Sequence, residues 1–109
     1  MILNVFLEEQ TYPIEVPDAI VTEAEEFFSF LDKDMNNGWQ MSQHWVDAPT
    51  TRQRCQIVAD KLLTALHNDE QKTGVMLSAY ILNRLPGTTE LHLSTSGDMN
   101  EHVLSGDND

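Results

Sequence analysis

The chain has 109 residues, 40% of them hydrophobic, which suits one domain of ordinary size and leaves no room for a second core. Its 18 acidic residues against 6 basic ones give a formal net charge of −12 at pH 7, a field that repels phosphate backbones and anionic lipid headgroups. Nucleic acids and membranes are therefore not expected as partners, and no apolar run approaches the ~20 residues that a bilayer span needs.

The opening MILNVFLEEQ has neither the basic start nor the small-residue cleavage site of a secretory signal, so the expected location is cytoplasmic. Cys55 is the single cysteine; an internal disulfide is excluded, and a reducing compartment fits. The charge is uneven. Glu8, Glu9, Glu15, Asp18, Glu23, Glu25, Glu26, Asp32 and Asp34 face only Lys33 in the first third, whereas Arg52, Arg54, Lys61, Lys72 and Arg84 dominate residues 52–84. A folded domain that pairs these two regions by charge, followed by an acidic solvated tail, is the simplest expectation.

Ile2 to Leu7 is a short apolar run of strand formers, and Tyr12, Ile14 and Val16 alternate with Pro13 and Glu15, so a hairpin turns around Glu8, Glu9 and Gln10. Pro13 cannot donate a ladder hydrogen bond, which places the second strand at a sheet edge and the first nearer the centre. After Pro17 the period changes. Ile20, Ala24, Phe27, Phe28, Leu31 and Met35 recur at helical spacing, which predicts one amphipathic helix of about four turns with Asp18 as N-cap, or a later start on Thr22 and Glu25. Asn36-Asn37-Gly38 ends it, because Asn and Gly tolerate the left-handed conformation.

Thr50 and Gln53 have capping-box spacing, and Cys55, Val58, Ala59, Leu62 and Leu66 form the buried stripe of a second helix. A third helix, apolar nearly all round from Val75 to Leu82, follows Asn68-Asp69; its regular part is expected after Gly74, and Pro86-Gly87 stops it. Leu91 and Leu93 alternate with His92 and Ser94 in a third strand, the natural neighbour of the first. The expected fold is α+β: a small antiparallel three-stranded sheet in the order ββαααβ with three helices on one face. Residues 1–96 form the domain and 97–109 an acidic, disordered tail.

Asp32, Asp34 and Asn36 stand where positions 1, 3 and 5 of a calcium loop would, behind Phe27, Phe28, Phe30 and Leu31, so the segment resembles an EF-hand entry. The resemblance breaks at position 6, which is Asn37 instead of glycine, and at position 12, Gln43 in place of the bidentate Glu. These three residues are only weak metal candidates. Cys55 has Arg52 and Arg54 nearby, which favours a thiolate, yet it lies on an apolar stripe with no evident base. His44, His67, His92 and His102 lie in four separate elements without zinc-site spacing.

Both tryptophans, Trp39 and Trp45, fall in one short segment with Met35 and Met41. They either close the core or form a recognition patch, with Trp39 the more structural and Trp45 the better candidate for exposure. The leading functional reading is a non-enzymatic, acidic interaction module that binds a basic protein partner through Trp45, Met41 and Trp39 with Glu23 and Glu26. The alternative is a small-molecule or metal-dependent enzyme whose pocket side chains the sequence does not single out; a degenerate calcium loop is weaker still. No catalytic residue and no cofactor is expected.

Overall fold

β1 (Ile2–Leu7) and β2 (Gln10–Glu15) form an antiparallel hairpin in a computed structural model that describes residues 1–106. Glu8 takes φ 56° in the turn. The register sets Leu3 opposite Ile14 and Val5 opposite Tyr12, and these side chains turn to the helix-covered face. Pro13 pairs with Asn4 in the outermost strand, the edge position its missing N–H demands.

The sheet differs from expectation in size and in direction. It has four strands in the order β2-β1-β5-β6, and β5 (Thr88–Leu93) runs parallel to β1. Direction is inherited from the preceding helix: Leu85 to Gly87 reverses the chain tightly, with Gly87 at φ 91° and Thr88 N–H donating to Leu85 C=O, so β5 runs back along that helix. β6 (Val103–Gly106) and a 3₁₀ turn (Met99–Glu101) arise from residues expected in the tail. Met99, Val103 and Leu104 are the apolar residues of an otherwise polar stretch, and the backbone finds partners: β6 pairs antiparallel with β5 and buries Leu104. The last three residues of the expected tail, 107–109, lie outside the described residues.

Among the described residues four α-helices replace the expected three, because the first breaks at Ala24 into α1 (Asp18–Glu23) and α2 (Glu25–Met35). Ala24 leaves helical geometry at φ −93°, ψ 35°, just after Thr22, whose hydroxyl donates back to the carbonyls of Asp18 and Ala19. Such back-bonding competes with the helical ladder and bends helices. Neither expected cap forms: Pro17 and Ala24 occupy the cap positions, without side-chain hydrogen bonds.

α3 (Thr51–His67) starts on the expected capping box, with Thr50 and Gln53 exchanging both hydrogen bonds. α4 (Gln71–Arg84) begins before Gly74, not after it, and Gly74 is buried beside Leu62 of α3. α4 is buried on several sides, from Leu77 to Leu82, because it lies between the sheet and the α1–α2 pair. Phe28 of α2 meets Tyr80 edge-on at 6.0 Å between ring centroids. Between α2 and α3 the chain makes a separate ribbon of β3 (Trp39–Met41) and β4 (His44–Val46), turning at Ser42 with φ 62°.

One polar stripe of α3 holds the C-terminal segment. Arg52, Gln56 and Asp60, at helical i, i+4 spacing, respectively donate to Leu104 C=O, donate to the carbonyls of Asn100 and His102, and meet His102 Nε2 at 3.0 Å. His102 is buried, and its Nδ1 accepts from Ser94 N–H, so the proton sits on Nε2, facing Asp60.

Candidate functional site

The expected charge pairing exists and is concentrated on one carboxylate. Asp32 Oδ1 accepts from the Tyr80 hydroxyl at 2.5 Å and from Arg54 Nη1 at 3.2 Å, while Oδ2 accepts from Arg84 Nη2 at 2.7 Å and Nε at 3.2 Å. Burial by itself would raise the Asp32 pKa; the hydrogen bonds from Tyr80, Arg84 and Arg54 and the charge of Arg84 outweigh it and hold the carboxyl below its ordinary value. Arg84 also clamps both oxygens of Glu25, and together with a hydrogen bond from Ser29 this lowers Glu25 to about 2. An ionised carboxylate surrounded by donors is a poor proton acceptor, so the cluster acts as a staple between α2, α3 and α4.

That staple takes the calcium candidates apart. Asp32 is committed to Arg54, Arg84 and Tyr80, and Asn36 accepts from Arg54 Nη2 at 2.9 Å. Asp34 lies two residues on within α2, about 200° around the helix from Asp32, and is exposed. The three side chains do not converge. Among the described residues there is no group of three or more His, Cys, Asp or Glu placed to hold a metal ion. The histidines remain apart: His44 on β4, His67 in the last turn of α3, His92 stacked on Phe6 at 4.5 Å on the outer sheet face, and His102 buried within the C-terminal segment against Asp60 of α3. Burial pushes the Cys55 thiol up to about 12, against the opposing effect of Arg52.

The tryptophan segment divides sharply. Met41 has no exposed surface and drops out of any recognition patch; a three-residue strand turned inward places it in the core. Trp39 is half-buried, with Lys61 Nζ 4.7 Å from its ring centroid. Trp45 is 58% exposed. One part of its indole lies on the Gly38 backbone, where a Cβ would come within 2.5 Å of the ring, and its Nε1–H donates to Asp47 Oδ1 at 2.6 Å. Gly38, at φ +102°, is therefore required both by its own conformation and by the ring above it. The result is an aromatic side chain braced from below and from the side, with its remaining surface open to solvent.

Glu23 and Glu26 are exposed but do not adjoin Trp45. They stand at the α1–α2 break, the far end of α2 from Gly38, roughly 14 Å along the helix axis at 1.5 Å per residue. The acids nearer Trp45 in the chain are Asp34 and Asp47. Sequence reasoning missed Asp32 as a hub, and the hidden signal was its two basic partners at separations of 22 and 52 residues.

No helix among the described residues is long and apolar enough to cross a membrane. No protein-family model, curated protein or solved structure matches this chain.

Proposed function

We propose that this protein is a non-enzymatic interaction module that binds a basic protein partner, with Trp45 as the aromatic anchor. The observation that carries this reading is the braced, exposed indole of Trp45 on a molecule whose exposed acids outnumber its exposed bases. Arg54 and Arg84 are mostly buried in the Asp32 staple and Lys61 sits over Trp39, so Lys33, Arg52 and Lys72 are the exposed bases, against Glu8, Glu9, Glu15, Glu23, Glu26, Asp34, Asp69 and Glu70 among the exposed acids. A fixed tryptophan loses little conformational entropy on binding, and the surrounding field attracts and orients a cationic partner.

Affinity capture from a native extract at low salt, with elution at high salt, tests this proposal when wild type and Trp45→Ala are compared side by side. A basic protein retained by wild type and lost at least roughly tenfold by the variant, at unchanged melting temperature, is the expected result. Equal retention by both removes Trp45 from the interface.

A further inference from the structure

A long trough runs along the free edge of β2, between that strand and the corner where α3 gives way to α4. It consists of two adjoining hollows of about 480 and 570 Å³ that share Tyr12 and Leu66. Its floor is apolar, built from Tyr12 and Ile14 on the strand and Ala65, Leu66 and Val75 on the helices. Its rim is rich in acids: Glu8 and Glu9 at one end, beside Gln10 and His67, Glu15 at the other, and Asp69 and Glu70 on the helical wall. Among the described residues no lysine or arginine lines either hollow. The C-terminus of α3 and the N-terminus of α4 meet at this corner, so their dipoles offset and the carboxylates set the sign of the field.

The strand edge adds a chemical constraint. Met1 and Val16 exchange hydrogen bonds of 2.7 and 2.8 Å, so the bonded pairs, counted by twos along the register, are Leu3 with Ile14, Val5 with Tyr12 and Leu7 with Gln10. The backbone groups of Thr11, Pro13 and Glu15 therefore point to the free edge. Proline has no N–H, so the middle of this edge offers only a carbonyl acceptor, and an added strand would find no donor there. The edge accepts hydrogen bonds better than it donates them, which favours ammonium and guanidinium donors over a continuous backbone ladder.

We propose that this trough binds an extended peptide segment in which arginine or lysine alternates with apolar residues. The six residues of β2 span about 20 Å, room for a segment of similar length. Apolar side chains of such a segment fill the floor against Tyr12, Ile14 and Val75, while the cationic ones reach the rim carboxylates and the edge carbonyls. This inference rests on the reading of the protein as a binder of basic partners and identifies the part of the partner that is gripped here, at a surface separate from Trp45.

The probe is a fluorescently labelled synthetic peptide of about nine residues alternating arginine and leucine, titrated with the full chain by anisotropy at low and high salt. Two variants remove the same charge at different places: Glu9→Gln/Glu15→Gln/Glu70→Gln in the trough, and Glu23→Gln/Glu26→Gln/Asp34→Asn on α1 and α2. All six positions are exposed, and Glu70 makes no side-chain capping bond, so both variants should fold; their melting curves check it. The expected result is a loss of roughly tenfold or more in the trough variant and less than about twofold in the other, with a peptide carrying glycine for leucine also binding poorly. Backbone amide shifts should concentrate at residues 11–15 and 65–75. Equal weakening by both variants would show diffuse attraction and overturn the trough. Absence of peptide binding would also overturn it, and Trp45-dependent retention of the basic partner would then leave the parent reading standing. Failure of both measurements would remove both.

Discussion

Replacing Asp32 with alanine removes one carboxylate that accepts four hydrogen bonds from three side chains on two helices. The side chains are mostly out of solvent, 24% exposed for Asp32 and 21% for each of Arg54 and Arg84. Breaking a fully buried ion pair costs about 3–5 kcal/mol, because the partner charges are left uncompensated. Three features lower that figure here. Arg84 keeps Glu25 and Asn83, Arg54 keeps Asn36 and the Pro49 carbonyl, and a polar hollow of about 340 Å³ beside Tyr80 admits water to the orphaned hydroxyl. The expected loss is about 2–4 kcal/mol, on the order of 10–25 °C in melting temperature for a domain of this size. Asp34→Ala is the matched control: it removes the same charge from the same helix but from an exposed position, and should stay within about 0.5 kcal/mol of wild type. Relief of general repulsion in a molecule of net charge −12 is common to both variants and cancels in the comparison. Urea denaturation of the three proteins measures the difference. If Asp32→Ala and Asp34→Ala agree within about 1 kcal/mol, the cluster is no more than a set of solvated surface pairs, and the staple is wrong.

Other consequences can be measured on the same material. Millimolar calcium should leave the melting temperature unchanged, since Asp32 and Asn36 are engaged by arginine; a rise abolished by Asp32→Ala would refute this. Trp39→Ala should cost roughly 1.5–3 kcal/mol and Trp45→Ala less than about 1, with Trp45 the indole more readily quenched by acrylamide; equal quenching of the two would contradict the structure. Cys55 should react slowly with a thiol reagent in the native protein at neutral pH and rapidly in denaturant, because burial raises its pKa to about 12. Glu25 and Asp32 have lowered pKa values in the folded state, so the unfolded chain binds more protons between those values and the ordinary 4.5 and 3.8. The Glu25 contribution is fully present above about pH 5 and is lost as pH falls towards about 2, and that of Asp32 is likewise lost on acidification below its ordinary value. In Asp32→Asn the stability deficit relative to wild type should therefore shrink on acidification; a constant deficit from pH 7 to pH 3 would exclude the linkage.

Local rules made much of this architecture legible. The hairpin, the edge position of Pro13, the Thr50–Gln53 capping box and the buried stripe of α3 each depend on neighbours within a few residues, where backbone sterics and hydrophobic period act directly. The unequal exposure of Trp39 and Trp45 was also readable, since Gly38 returns the chain towards α2 while Asp47 marks the solvent end of the ribbon. Tertiary structure alone decided what depends on distant partners. Alternation in Leu91 and Leu93 indicates a strand but not its direction, which α4 imposes by its orientation over the sheet. Polar composition after Gly97 suggests a tail, yet β5 offers a free edge and the Arg52, Gln56 and Asp60 stripe offers hydrogen bonds, and together they order residues 99–106. In the sequence Asp32 stands out only as a weak calcium candidate in the company of Asp34 and Asn36. It became the hub of a staple because folding brings Arg54 and Arg84 to it from 22 and 52 residues away, and a carboxylate leaving water takes the strongest donors within reach.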